Sequence, residues 1–129
     1  MITILAVAIG GAFGSVLRYL FAKAAAEWLG TGFPYGTLGV NVIGGFVAGL
    51  CVVWLVERGA AAEWRALVMI GVLGGFTTFS TYAVDSQRLL QTGHVAAAIA
   101  NLAITLVAAL VAVTAATRIT RGLVLRARR

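Results

Sequence analysis

The chain has 129 residues, of which only 10 are basic and 4 acidic, while 61% are hydrophobic and the mean hydropathy is +1.01. A soluble domain of this size carries roughly twice that charged fraction, and one core in so short a chain could not hide this much apolar surface. The composition therefore predicts a membrane protein with room for about four or five helical crossings and none for a soluble catalytic domain.

The charges divide the chain by themselves. Residues 1–17 hold none, and the apolar pattern continues through 19–22 and 24–26, predicting a first helix of roughly 25 residues. It lacks a positively charged start, so it reads as a retained span rather than a secretory signal. Arg18 lies at helical depth, where snorkelling to the interface and lining a charged vestibule are both open to it. Gly30-Thr-Gly-Phe-Pro-Tyr-Gly36 sets the only proline between glycines and marks a turn, so the second span begins near Gly36 and runs to Val56. Early in that span stand Thr37 and, one turn later on the same face, Asn41. The Asn41 amide reads either as an interhelical hydrogen bond or as an NH2 donor facing a polar path. Gly10, Gly11 and Gly14 in span one, and Gly44, Gly45 and Gly49 in span two, read as close helix contacts.

Residues 57–65 form a short polar connection, and 66–84 make the third apolar run, followed by Asp85, Arg88 and His94. The fourth run covers 95–117, broken only by Asn101 and Thr105 one turn apart, which suit a polar path and an interhelical hydrogen bond equally. A tail with Arg118, Arg121, Arg126, Arg128 and Arg129 closes the chain. On so apolar a protein that tail reads as a contact with anionic headgroups rather than with nucleic acid. Four spans put both termini and the second connection on one side, with Arg58, Arg65 and the tail against Lys23 and Arg88 on the other. The positive-inside bias predicts cytoplasmic termini. The single Cys51 cannot form an intrachain disulfide. Continuous apolar runs exclude a β-barrel, which leaves an all-α integral membrane protein of one domain over residues 1–129.

Span three is the unusual one. Gly71-Val-Leu-Gly-Gly-Phe-Thr-Thr-Phe-Ser-Thr-Tyr82 places three glycines ahead of Thr77, Thr78, Ser80 and Thr81, about midway along its run. Glycines lower the cost of leaving helical geometry, and hydroxyls satisfy backbone groups that lose their partners, so a broken helix is predicted there. For the glycines alone, close packing is the simpler account. Phe79 and Tyr82, three apart, share a face of the resumed helix, and their positive ring edges suit a small anion. No cluster of His, Cys and carboxylates offers transition-metal ligation or hydrolytic catalysis, so the chain is not read as an enzyme.

These residues resemble the Fluc (CrcB-type) fluoride channels over nearly the whole chain. Gly10-Gly-Ala-Phe-Gly-Ser-Val-Leu-Arg-Tyr19 looks like the family's first-span motif, and Tyr35-Gly-Thr-Leu-Gly-Val-Asn-Val-Ile-Gly-Gly-Phe46 like its second. The 71–82 segment looks like its broken third helix. The resemblance implies a passive channel exporting cytoplasmic fluoride across the inner membrane, built as an antiparallel dimer with two pores and a structural sodium ion (Na+) at its centre. It implies pore roles for Asn41, Phe79, Tyr82, Ser80, Thr81, Thr37 and Thr105, and vestibule positions for Arg18 and Asp85. It also implies sodium-binding carbonyls at Gly74 and Thr77. Two features depart from the family. The second pore aromatic is a tyrosine, whose phenol can itself donate to the ion. The arginine tail unbalances the flanking charge, so the chain either inserts in both orientations as a homodimer or pairs with an oppositely biased partner. Two other readings share the span count: a proton-coupled exporter of the small multidrug-resistance type, which needs a membrane-embedded carboxylate, and an accessory subunit that transports nothing.

Overall fold

A computed structural model describes residues 1–127. Helix α1 (Ile2–Leu29) ends at Gly30, whose φ of 81° only glycine adopts without strain. Pro34 precedes the first helical residue of α2 (Tyr35–Cys51), a place where its missing N–H costs nothing, and the helix widens into π-type turns over Val52–Glu57. After a tight connection, α3 covers residues 62–76, with π-type turns over Ala66–Leu73. The chain leaves the helix at Thr77, where ψ is 160°, and resumes as α4 (Ser80–Gln91). Helix α5 (Val95–Arg126) closes the bundle. Four stretches are long and apolar enough to cross a bilayer: Ile2–Leu29, Tyr35–Glu57, Ala62–Gln91 and Val95–Arg126, the third being α3 and α4 together.

Two boundaries differ from the sequence reading. Helix α1 continues past residue 26 to Leu29, and α5 continues past Thr117 to Arg126. Hydropathy marks where lipid stops, whereas a helix stops where its hydrogen bonding fails, and no proline interrupts either extension. Of the tail arginines, Arg128 and Arg129 lie outside the described residues.

Gly71 and Gly75 serve packing against α1, whereas a Cβ on Gly74 would meet no other element within 4 Å. Gly74 and Gly75 are still helical. A Cβ on Gly75 would stand 2.6 Å from the Gly11 carbonyl oxygen, and one on Gly71 2.9 Å from the Gly10 Cα. On the facing side, a Cβ on Gly14 would strike the Val72 carbonyl oxygen and lie 2.9 Å from the Phe76 nitrogen. Helices α1 and α3 therefore touch backbone to backbone. A second seam joins α2 to α5, where a Cβ on Gly45 would come 3.0 Å from the Ala109 carbonyl oxygen. Beyond it the Arg121 guanidinium grips the Glu57 carboxylate, Nε lying 3.0 and 3.2 Å from its two oxygens. Within the most apolar stretch of each crossing only 11–22% of residues are buried inside the chain, so the chain itself leaves most of that apolar surface uncovered.

Candidate functional site

The break at residues 77–79 is held from α2. The Asn41 side chain makes a two-pronged contact with Thr78, donating from Nδ2 to its carbonyl oxygen at 2.9 Å and accepting its N–H on Oδ1 at 2.8 Å. An amide can replace a strand-like backbone partner in this way, which is why one asparagine stabilises a non-helical residue inside the bundle. One Nδ2 hydrogen remains for another acceptor. Thr78 in turn starts α4: its hydroxyl oxygen accepts the Thr81 N–H at 3.1 Å and its proton goes to Thr81 Oγ1, also at 3.1 Å. Ser80 Oγ lies 3.4 Å from the same oxygen.

These two contacts free two carbonyls. In a continuous helix the Thr78 and Thr81 amides would bond the Gly74 and Thr77 oxygens. Here the first goes to Asn41 and the second to the Thr78 hydroxyl. Arg18 reaches in from α1, with Nη1 3.4 Å from the Thr77 oxygen.

A cavity of about 410 Å³ opens beside the break. Asn41, Thr78, Phe79, Tyr82 and Thr105 line it together with Gly74 and Thr77, and no charged residue does. Phe79 is 77% exposed and packs its ring 5.4 Å from that of Tyr82, at a 48° tilt. The Tyr82 phenol is buried and donates to the Leu102 carbonyl oxygen at 2.8 Å, tying α4 to α5. Thr77 donates to the Leu73 carbonyl oxygen at 2.9 Å.

A second cavity, of about 260 Å³, lies under the 30–34 turn and includes Thr37, Thr81, Asp85 and Arg88 in its lining. Thr37 donates to Asp85 Oδ2 at 2.6 Å, and Arg88 Nη2 stands 3.8 Å from Oδ1. The sequence-derived residues thus fall into two groups on either side of the break. Thr37, Thr81 and Asp85 face the outer cavity, while Asn41, Phe79, Tyr82, Thr105, Gly74 and Thr77 face the central one. Ser80 sits at the junction without lining either.

Two residues matter more than the sequence suggested. Thr78 belongs to the hydroxyl run, yet its part in restarting the helix depends on Asn41, 37 positions away. Ser86 gave no signal beyond its place one turn after Tyr82. Its hydroxyl donates to the Tyr82 carbonyl oxygen at 2.8 Å and accepts from Asn101 Nδ2 at 2.9 Å, while Thr105 donates to Asn101 Oδ1 at 3.1 Å. Asn101 therefore bridges α4 and α5, and Thr105 both joins that bridge and faces the cavity.

The family model described as CrcB-like protein, Camphor Resistance (CrcB) matches residues 5–117. The chain belongs to the CrcB family. Among this CrcB chain's relatives is a protein of Caulobacter vibrioides called "Fluoride-specific ion channel FluC", 48% identical over 90 residues that cover 68% of this chain and 71% of the relative. A protein of the same name from Phenylobacterium zucineum is 46% identical over 93 residues, covering 70% of this chain and 73% of the relative. One from Methylococcus capsulatus is 40% identical over 113 residues, covering 87% of this chain and half of the relative. The matched region reaches into all four crossings, so this CrcB chain is a multi-pass membrane protein.

Proposed function

We propose that this chain is a fluoride-selective passive channel of the bacterial inner membrane, letting cytoplasmic fluoride leave the cell. The observation that carries the reading is the break at residues 77–79, gripped by Asn41 between two cavities, in a chain whose relatives are named fluoride-specific channels. A small anion leaving water needs substitute donors at every step, and a pore must bind it weakly enough to release it. The central cavity meets both demands with neutral groups: an amide hydrogen from Asn41, ring edges from Phe79 and Tyr82, and no fixed charge. The first turn of α4 adds its positive dipole end at mid-bundle. In this reading the ion passes from the Asp85, Arg88 and Thr37 cavity past Thr81 and Ser80 to Asn41 and the aromatic pair, with Thr105 on the far wall. Arg18 backs the break from behind. The exporter alternative lacks its carboxylate in the central cavity.

The channel is an antiparallel dimer in this proposal. The open side of the central cavity, the protruding Phe79 ring and the unburied apolar flanks support a second chain there, with lipid covering the remainder. A homodimer is the simplest assembly, and an oppositely biased partner is the alternative that the arginine-rich end favours. The Gly74 and Thr77 oxygens, released from helical bonding, fit a hard cation such as sodium, and two chains related by a two-fold axis would offer four of them. Sodium held there would fasten the two breaks to each other. The purified chain in proteoliposomes, followed with a fluoride electrode, should release fluoride without a pH gradient. Phe79→Ile should slow release at least about tenfold while leaving an exposed position's stability unchanged. Undiminished flux in that variant would remove Phe79 from the path, and no flux from the unmodified chain would overturn the reading. Melting the detergent-solubilised protein in sodium and in N-methylglucamine tests the cation, which should raise the melting temperature.

A further inference from the structure

A third cavity, of about 280 Å³, lies where the α2–α5 seam ends. Trp54 stands exposed in the π-type turns that close the second crossing, and the Arg58 guanidinium lies over its ring, 4.4 Å from the centroid. Opposite them α5 presents Leu123, Val124 and Ala127, which complete the lining. Arg58 stands outside the arginine tail, and the carboxylate next to it in the chain, Glu57, is engaged by Arg121. Among the described residues the Arg58 side chain makes no ion pair, so its charge and its N–H groups are left for a ligand. The depth of the cavity says which ligand. Glu57 is the last residue of the second crossing, and its pairing with Arg121 puts Leu123 and Val124 about 3–5 Å farther along α5. Lipid headgroups and the first acyl carbons lie at this level, where tryptophan collects in membrane proteins.

We infer that this cavity binds an anionic phospholipid, with Arg58 taking the phosphate and an acyl chain lying between Trp54 and Leu123. A guanidinium meets phosphate through two parallel N–H···O bonds, and stacking over an indole face holds it in place beforehand. Trp54, Leu123, Val124 and Ala127 give a free phosphate ion nothing, whereas they suit the hydrocarbon just beneath a headgroup. A zwitterionic headgroup would carry an ammonium toward an end of the bundle that already holds Arg118, Arg121 and Arg126, and an anionic headgroup relieves that surplus. The lipid so held spans from the end of α2 to the end of α5 and adds to the Glu57–Arg121 tie. The site shares no residue with the central or the outer cavity, so it stands whether or not the chain carries fluoride.

Trp54 can report on its own neighbour. Trp28→Phe with Trp64→Phe, both at exposed positions, leaves it the sole indole of the full chain. That protein is placed in phosphatidylcholine vesicles with rising fractions of phosphatidylglycerol, one lipid or the other carrying brominated acyl chains that quench indole on contact. Quenching should show phosphatidylglycerol preferred by about fivefold or more, the ratio that one arginine provides at a bilayer surface. Arg58→Gln should bring the preference to within about twofold of none. Arg65→Gln, which removes the same charge at the same rim but outside the cavity, should leave it unchanged. Inorganic phosphate added at constant ionic strength should not displace the lipid. The inference is overturned if the two lipids quench equally, or if Arg65→Gln lowers the preference as much as Arg58→Gln, the mark of diffuse attraction. Displacement by inorganic phosphate would show a site for the bare ion and overturn it too. Should the single-tryptophan protein not fold, melting of the unmodified chain in detergent decides. Added phosphatidylglycerol should raise its melting temperature above the value in phosphatidylcholine, and Arg58→Gln should abolish the rise. No rise, or one that survives Arg58→Gln, overturns the site.

Discussion

The two halves of the third span are held in the bundle by opposite means. Helix α3 lies against α1 through glycines, backbone on backbone, with no side-chain hydrogen bond needed. Helix α4 is held by donors and acceptors: Asn41 and Thr78 at its start, Thr37 on Asp85, and the Ser86, Asn101 and Tyr82 contacts to α5. Dense packing tolerates no added atom, whereas a polar contact fixes a direction and leaves room beside it. The two cavities accordingly flank the half with the polar contacts.

Four substitutions can break or sharpen that contrast. Gly14→Val should have the largest effect, because its added carbons would meet the α3 backbone, which has no rotamer to yield. The cost should exceed the about 1–3 kcal/mol of ordinary overpacking, and size-exclusion chromatography in detergent should recover little folded protein. Asn41→Leu should cost about 2–5 kcal/mol, since it leaves both Thr78 backbone groups without partners. Unlike the glycine variant it should still assemble, with fluoride release reduced at least about tenfold. Tyr82→Phe removes one interhelical hydrogen bond, costing about 0.6–1.7 kcal/mol in a melting experiment, and keeps the ring edge. Fluoride release should remain within about twofold, and a larger fall would show the phenol proton reaching the ion. Gly11→Ala should do least. Nothing stands within 4 Å of the new methyl group, so the melting temperature should hold or rise, by less than about 1 kcal/mol of helix propensity.

The four crossings were legible because the charges, Arg18 apart, gather at Lys23 and Glu27, across 57–65, from Asp85 to Arg88 and in the arginine tail. That span three breaks was also legible, from hydroxyls following glycines. Its register was not, because glycine has two uses that look alike in a sequence, and which applies at Gly75 depends on α1, some 60 residues earlier. Asn41 and Thr37 stood out as polar residues in an apolar span, yet their partners, Thr78 and Asp85, lie 37 and 48 positions away. Asn101 and Thr105 left two readings open, and the structure supplies a contact for each: Asn101 crosses to Ser86 while Thr105 lines the cavity. Ser86 went unnoticed because a serine in the polar half of a span is unremarkable until its neighbour on α5 is known.

The bundle's two rims are electrically unlike. At the rim under the 30–34 turn each cation has a carboxylate one helical turn away, Lys23 with Glu27 at 3.9 Å and Arg88 with Asp85 at 3.8 Å. At the opposite rim the described residues include Arg58, Arg65, Arg118, Arg121 and Arg126 but only two carboxylates, Glu57 and Glu63, the first held by Arg121. Dissolved anions therefore accumulate at one lip and not at the other, over a Debye length of about 8 Å at physiological ionic strength. A head-to-tail pair would give each leaflet one such lip and so even out the charge that a single chain sets across its two ends.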